Sequence, residues 1–165
     1  MAIMIERRAL LIGASALLLT RPALAEATTH EVQMLNVHPD NPRQRMVYDP
    51  LIQVVQPGDT VRFVSVNPGH NSESIEGMIP EGAEPWKSRP SQDFEVTLTV
   101  PGIYGYKCLP HYATGMVGLI IVEGEGKLDN LEAARSVRQR GRAAQVFDEI
   151  WAQAEADGLL TEGEA

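Results

Sequence analysis

Four clusters of proline and glycine punctuate the middle of the chain: Pro57-Gly58-Asp59, Asn67-Pro68-Gly69, Pro80-Glu81-Gly82 and Pro101-Gly102. Proline presets φ and glycine admits positive φ, so each cluster turns the backbone. A chain turned this often builds from short elements, and the segments between the turns read as strands. Residues 94–100 alternate, with Phe94, Val96, Leu98 and Val100 on one face. Such a period of two marks a strand with one buried side. Residues 60–66 and 117–122 are rich in β-branched side chains and predict strands buried on both faces. Residues 31–37 and 51–56 are shorter strand candidates. Short strands separated by such turns predict a β-sandwich or a small barrel.

The character changes at Gly124-Glu125-Gly126, after which Ala, Glu, Arg and Gln dominate. Leu128, Leu131, Ala134 and Val137 recur at helical spacing, and Gly141 is placed to break that helix. Ala143, Val146, Phe147, Ile150 and Trp151 form a second stripe that ends at Asp157-Gly158. Two short helices are therefore expected after the strands. A stripe flanked by acids gains nothing from an anionic lipid surface, so the helices are expected to pack on their own domain and no membrane role follows.

The first 25 residues read as a signal peptide rather than as part of the fold. Arg7 and Arg8 precede an uncharged apolar run over residues 9–19, and Ala23-Leu24-Ala25 supplies the small-x-small cleavage pattern. The run is shorter than the ~20 residues a spanning helix needs. Arg7-Arg8 followed by Ala9-Leu10-Leu11 fits twin-arginine export, while Glu6 before the pair leaves the general secretory route equally open. Export implies the periplasm, and the remaining chain divides into a strand-rich domain over residues 26–123 and a helical extension over 124–165 packed on it. The full chain carries −8; residues 1–25 contribute +2 through Arg7, Arg8 and Arg21 against Glu6, so their removal leaves −10. That acidic balance excludes a nucleic-acid binder, which needs a basic face.

Cys108 is the one cysteine of the chain, so no internal disulfide forms. In an oxidising compartment it is inert and buried, reactive, joined to another chain, or bound to metal. Its neighbours favour the last. Cys108-Leu109-Pro110-His111-Tyr112-Ala113-Thr114-Gly115-Met116 places a thiol, an imidazole and a thioether on one loop between two strands, and His70 sits at another strand end. Thiolate, two imidazoles and a weak thioether are the donors of a blue-copper electron-transfer site. Taken singly, each residue is better explained by core packing or a turn; it is their conjunction that reverses the balance. Zinc is the rival metal, but a structural zinc site prefers more Cys or His and does not use Met.

Longer stretches carry a resemblance: Met46-Val47-Tyr48-Asp49-Pro50, Pro57-Gly58-Asp59-Thr60-Val61, Gly69-His70-Asn71-Ser72-Glu73-Ser74-Ile75, Met78-Ile79-Pro80-Glu81-Gly82-Ala83-Glu84 and Lys107 through Met116. On these residues the chain resembles the cupredoxins, a family of small periplasmic blue-copper proteins, and within them the pseudoazurins. The resemblance runs from Val32 to the C-terminal helices. It implies a mainly β, Greek-key sandwich of about eight strands with two C-terminal α-helices, and one copper ion held by His70, Cys108, His111 and Met116. It implies a one-electron carrier cycling Cu(II)/Cu(I), not an enzyme, passing electrons to copper nitrite reductase or a cytochrome. It also suggests that Asn71 ties the two ligand loops while its N–H bonds the Cys108 sulfur. Pro110 withholds a second such bond. Met46 matches a residue that packs on the imidazole of His111, although plain core packing explains it as well.

The sequence departs from the pseudoazurin pattern in charge. A ring of lysines around the copper face is common there and docks acidic partners; this chain holds only Lys87, Lys107 and Lys127, with Arg43, Arg45 and Arg89 as candidate replacements. Gln33 stands where many members have histidine. A copper enzyme would need three more histidines beside the two of a blue site, and the chain has only His30, His38, His70 and His111. A periplasmic copper-binding or delivery protein is the alternative reading, though the chain has no Met-rich run. One small copper domain is expected to act as a monomer.

Overall fold

In the computed structural model, residues 26–161 are described; the signal-peptide reading lies outside them. Eight strands form two mixed sheets. They are β1 (Thr29–Val37), β2 (Arg45–Asp49), β3 (Ile52–Val55), β4 (Thr60–Val64), β5 (Glu73–Ser74), β6 (Phe94–Thr97), β7 (Gly102–Lys107) and β8 (Val117–Val122). The first sheet runs β2-β1-β4-β6 and the second β3-β8-β7-β5. A 3-10 turn over Leu109–Thr114 joins β7 to β8, and helices α1 (Leu131–Ser136) and α2 (Ala143–Ala156) follow. None of the described helices is long and apolar enough to cross a membrane.

The last strand shows how the pattern produces the layers. Every residue of β8 is buried, as its unbroken apolar run predicts. Its even positions Ile120 and Val122 join the core between the sheets, with Tyr48, Phe63, Tyr104 and Tyr106. Its odd positions Val117, Leu119 and Ile121 join a second core with Ile103, Phe147 and Ile150. The second sheet is thus covered on one face by the first sheet and on the other by α2. Burying side chains such as Phe147 or Ile150 fully stabilises the fold by about 1.5–3 kcal/mol each.

β4 departs from the expectation of two buried faces. Val61 and Phe63 are buried, but Arg62 points outward to Asp93 at 2.8 Å and Glu31 at 3.4 Å. Among the described residues no helix covers the outer face of the first sheet, so the strand alternates, and it ends at Val64 with Val66 exposed. The pattern over 94–100 keeps its phase in burial, but the ladder stops at Thr97. Leu98 turns its backbone to the β3–β4 turn instead, accepting from Gly58 N–H at 2.7 Å and donating to Asp59 at 3.0 Å.

Strand phase also aims the chain toward its functional end. In β7, Tyr104 and Tyr106 face the core between the sheets, and Cys108 continues that phase just past the strand. Just before β8, Met116 lies in the same core as Ile120 and Val122. The last ladder pair is Lys107 with Val117, and the next rung is closed by Cys108 N–H donating to Met116 C=O at 3.0 Å. A slip of one residue would turn both sulfur side chains away from the core. Gly115, with φ of 98°, ends the 3-10 turn and returns the chain to β8; a Cβ there would meet Val146 at 2.9 Å.

Candidate metal centre

Two loops bring the donors together. The first follows β4 and carries His70, whose C=O accepts from Ser91 N–H at 2.8 Å. The second is the turn between β7 and β8. Asn71 joins them: its side-chain oxygen accepts from Leu109 N–H at 2.8 Å, and its C=O accepts from the buried Tyr48 hydroxyl at 2.6 Å. The expected loop tie is therefore present.

His70, Cys108 and His111 form a cluster whose donor atoms all lie within 4.8 Å of one another. His70 Nδ1 lies 3.1 Å from His111 Nδ1, and Cys108 Sγ lies 3.8 Å and 3.5 Å from them. A central ion about 2.0–2.3 Å from each donor sets such edges at about 3–4 Å, so the three side chains fit a bound metal. Met116 is fully buried in the same core, with its N–H donating to His111 C=O at 3.1 Å. Neither His30 nor His38 joins the cluster: His30 faces Asp59 at 2.9 Å and His38 faces Asp49 at 3.7 Å.

The two imidazoles differ in support. His70 is fully buried and donates from Nε2 to Asn36 Oδ1 at 2.8 Å. That bond puts the proton on Nε2 and leaves the Nδ1 lone pair free for a metal. Burial, then the neighbouring His111 charge, hold the His70 pKa below the ordinary histidine value. His111 is half-buried, beside exposed Leu109, Pro110 and Ala113. Burial pushes the Cys108 thiol up, backbone N–H groups of Asn71 and His111 pull it back, and the charge of Glu73 adds to the rise. The His111 N–H donates to the Cys108 carbonyl at 3.1 Å, and Pro110, between them, has no N–H to offer. Met46 is half-buried, has φ of 54°, and packs on the core that holds Cys108 and Met116, which is the core-packing alternative of the two roles weighed for it.

Several contributors carried no sequence signal. Asn36 is an ordinary polar residue near the end of β1. The connector between α1 and α2 reaches the ligand loop, where Arg142 N–H donates to Ala113 C=O at 2.9 Å and Tyr112 hydroxyl donates to Gln139 at 2.6 Å. Three arginines lie on this connector. Arg140 approaches Tyr112, and Arg142 lines a cleft with Arg45, Thr114 and Gly115. Of the basic residues expected around the site, Lys107 and Lys87 both turn to Glu73, at 3.3 Å and 3.5 Å.

A two-sheet sandwich that presents one buried thiol, two imidazoles and a buried thioether at one end defines a copper redox protein of the cupredoxin class. Comparison with known proteins agrees. The family described as copper binding proteins, plastocyanin/azurin family, matches residues 35–123. Pseudoazurin of Paracoccus pantotrophus is 40% identical over 143 residues, covering 87% of this chain and 95% of that protein. Pseudoazurin of Methylorubrum extorquens is 41% identical over 149 residues, covering 88% and 96%. The crystal structure of pseudoazurin from Methylobacterium extorquens AM1 superposes with a TM-score of 0.69 at 41% identity, covering 76% of this chain and 98% of that one. The chain belongs to the plastocyanin/azurin family of copper-binding proteins and, within it, to the pseudoazurins, copper electron carriers.

Proposed function

We propose that the protein is a monomeric one-electron carrier of the periplasm that delivers electrons to copper nitrite reductase or a cytochrome. The observation that carries this reading is the convergence of Cys108, His70 and His111 on one point beneath an exposed rim. Bound copper supplies the Cu(II)/Cu(I) couple. His70, Cys108, His111 and Met116 would hold it. His70 is locked by Asn36, and the Asn71 tie holds Cys108 against it, so the donors keep one arrangement in both oxidation states. Half-buried His111 gives the site an edge at the surface. Exposed Leu109, Pro110 and Ala113 make the surroundings of that edge apolar, which suits brief, close encounters.

The choice of partner rests on charge. Arg45, Arg140 and Arg142 border the ligand loop and have no ion-pair partner among the described residues, while the exported chain carries −10. Such a rim steers encounter with an acidic surface more than it holds the complex. Location is supported by the N-terminal signal pattern; periplasmic fractionation with sequencing of the mature N-terminus, expected at Glu26, tests it. For the partner, the rate of electron transfer to copper nitrite reductase should fall as ionic strength rises from ~0.01 to ~0.15 M, where the Debye length shrinks from about 30 to about 8 Å. A rate that rises with salt overturns this docking and favours a basic cytochrome.

A further inference from the structure

One buried charge near the ligands is left unused by the site. Glu73 is 8% exposed and lies three residues after His70. In β5 it pairs across to Lys107 of β7, the residue before Cys108, and on its other side it bridges to Lys87. Lys107 Nζ sits 3.3 Å from Oε1 and Lys87 Nζ 3.5 Å from Oε2. Yet Oε2 is buried without a hydrogen bond. The two lysines are unequal: the Lys87 side chain is 68% exposed and that of Lys107 only 20%. Lys107 also lies over the Tyr112 ring of the ligand loop, 5.0 Å from its centroid.

Carboxylates are almost never buried without full pairing, since desolvation is costly. A glutamine would occupy the same space without that cost. The charge itself therefore needs a use, and its position supplies one. It lies on β5, three residues after His70, and pairs across to Lys107, the residue before Cys108, so it is tied to both ligand-bearing segments.

We propose that Glu73 and Lys107 are an opposed pair of fixed charges that positions the reduction potential of the site: the carboxylate lowers it and the ammonium offsets that effect. This inference rests on the copper reading above. The oxidised centre carries one more positive charge than the reduced one, with no proton exchanged. A nearby negative charge therefore favours the oxidised state, and a nearby positive charge favours the reduced state. Lys87, in solvent, is screened and contributes less.

The test uses Glu73→Gln, Lys107→Gln, the double variant and Lys87→Gln, each read in two ways. The first reading is the Cu(I):Cu(II) ratio of the copper-loaded protein at a fixed ambient potential. The second is the pH profile of the ultraviolet thiolate absorbance of the metal-free protein, to which Cys108 is the one cysteine that contributes. Glu73→Gln should shift the ratio toward Cu(I) at least threefold, where tenfold corresponds to about 59 mV for one electron. It should also move the thiolate profile to lower pH. Lys107→Gln should move both readings the opposite way. The double variant should return within twofold of the parent, and Lys87→Gln should move less than either single variant. Unchanged readings for both single variants, or shifts of the same sign for both, overturn the proposal. If Glu73→Gln does not fold, Lys107→Gln decides alone: a shift toward Cu(I) or no shift overturns the proposal. A parent protein that takes no copper overturns the electron-carrier reading instead, and the thiolate profile still decides whether Glu73 and Lys107 oppose one another at Cys108.

Discussion

Strand β4 runs between two polar clusters. At its start, Asp59 accepts from Thr28 N–H at 2.8 Å and Gln56 N–H at 2.9 Å and faces His30 Nε2 at 2.9 Å. Those two backbone bonds, and then His30, hold its carboxyl down to about 2. Both of its oxygens are partnered. Beyond the other end of β4, His70, Cys108 and His111 aim three donor atoms at one another, and among the described residues only one of the two imidazoles has its second nitrogen fixed by a neighbour. Both clusters contain histidine and both join neighbouring loops. A satisfied cluster contributes stability; converging lone pairs cost folding free energy and persist because a ligand completes them.

The sharpest break in this contrast comes from Cys108→Ser. It should abolish the intense visible absorption of the copper-loaded protein, since a hydroxyl cannot supply thiolate-to-metal charge transfer, while far-ultraviolet circular dichroism stays native. A variant that remains strongly coloured would remove Cys108 from the site; a variant that unfolds would show that the ligand end carries the fold as well.

At the opposite end, Asp59→Ala leaves the amides of Thr28 and Gln56 without their acceptor. Denaturant unfolding should show a loss on the order of 3 kcal/mol, with an unchanged copper spectrum. The same carboxyl gives a pH signature. Its folded value of about 2 lies below the unfolded 3.8, so its contribution is complete above the unfolded value and is lost as pH falls toward 2. Asp59→Asn should flatten that acid limb, and an unaltered limb would place the acid sensitivity elsewhere.

A smaller effect is expected from Asn36→Ala, which frees the Nε2 side of His70. Copper affinity, measured by competition with a chelator, should fall about 10–100-fold. An unchanged affinity would mean that packing alone orients the ring. The smallest effect belongs to Leu109→Ala. Although Leu109 sits inside the ligand loop, it is 49% exposed, so stability should stay within about 0.5 kcal/mol and the spectrum should not move. A spectral change would show that this side chain, rather than strand phase, shapes the site.

The parts of the molecule visible in the sequence are those written in local pattern. The run over 117–122 reveals β8, and the stripe from Ala143 to Trp151 reveals α2, because each buries a face whose period matches its element. Cys108, His111 and Met116 could be read together because two inward-facing strand ends and a short turn keep them within one loop. The extent of β7 is not legible because Gly102 and Gly105 interrupt its apolar pattern; at Gly105 a Cβ would meet Met78 at 2.5 Å, a demand no local window shows. The exposed face of β4 depends on which sheet the helices cover, and that is decided by residues far along the chain. Asn36, Glu73 and the arginines of the helix connector reach the site only through pairing or docking, so their residue types alone did not mark them.

The central claim is that His70, Cys108, His111 and Met116 hold one copper ion as a reversible one-electron centre. Titration of the metal-free protein with Cu(II), followed by visible absorption, tests it most directly. The account predicts an intense band in the orange-to-red region that saturates at one ion per chain and is bleached and restored by one electron equivalent. Pale absorption, saturation at more than one ion, or bleaching that does not reverse would contradict it.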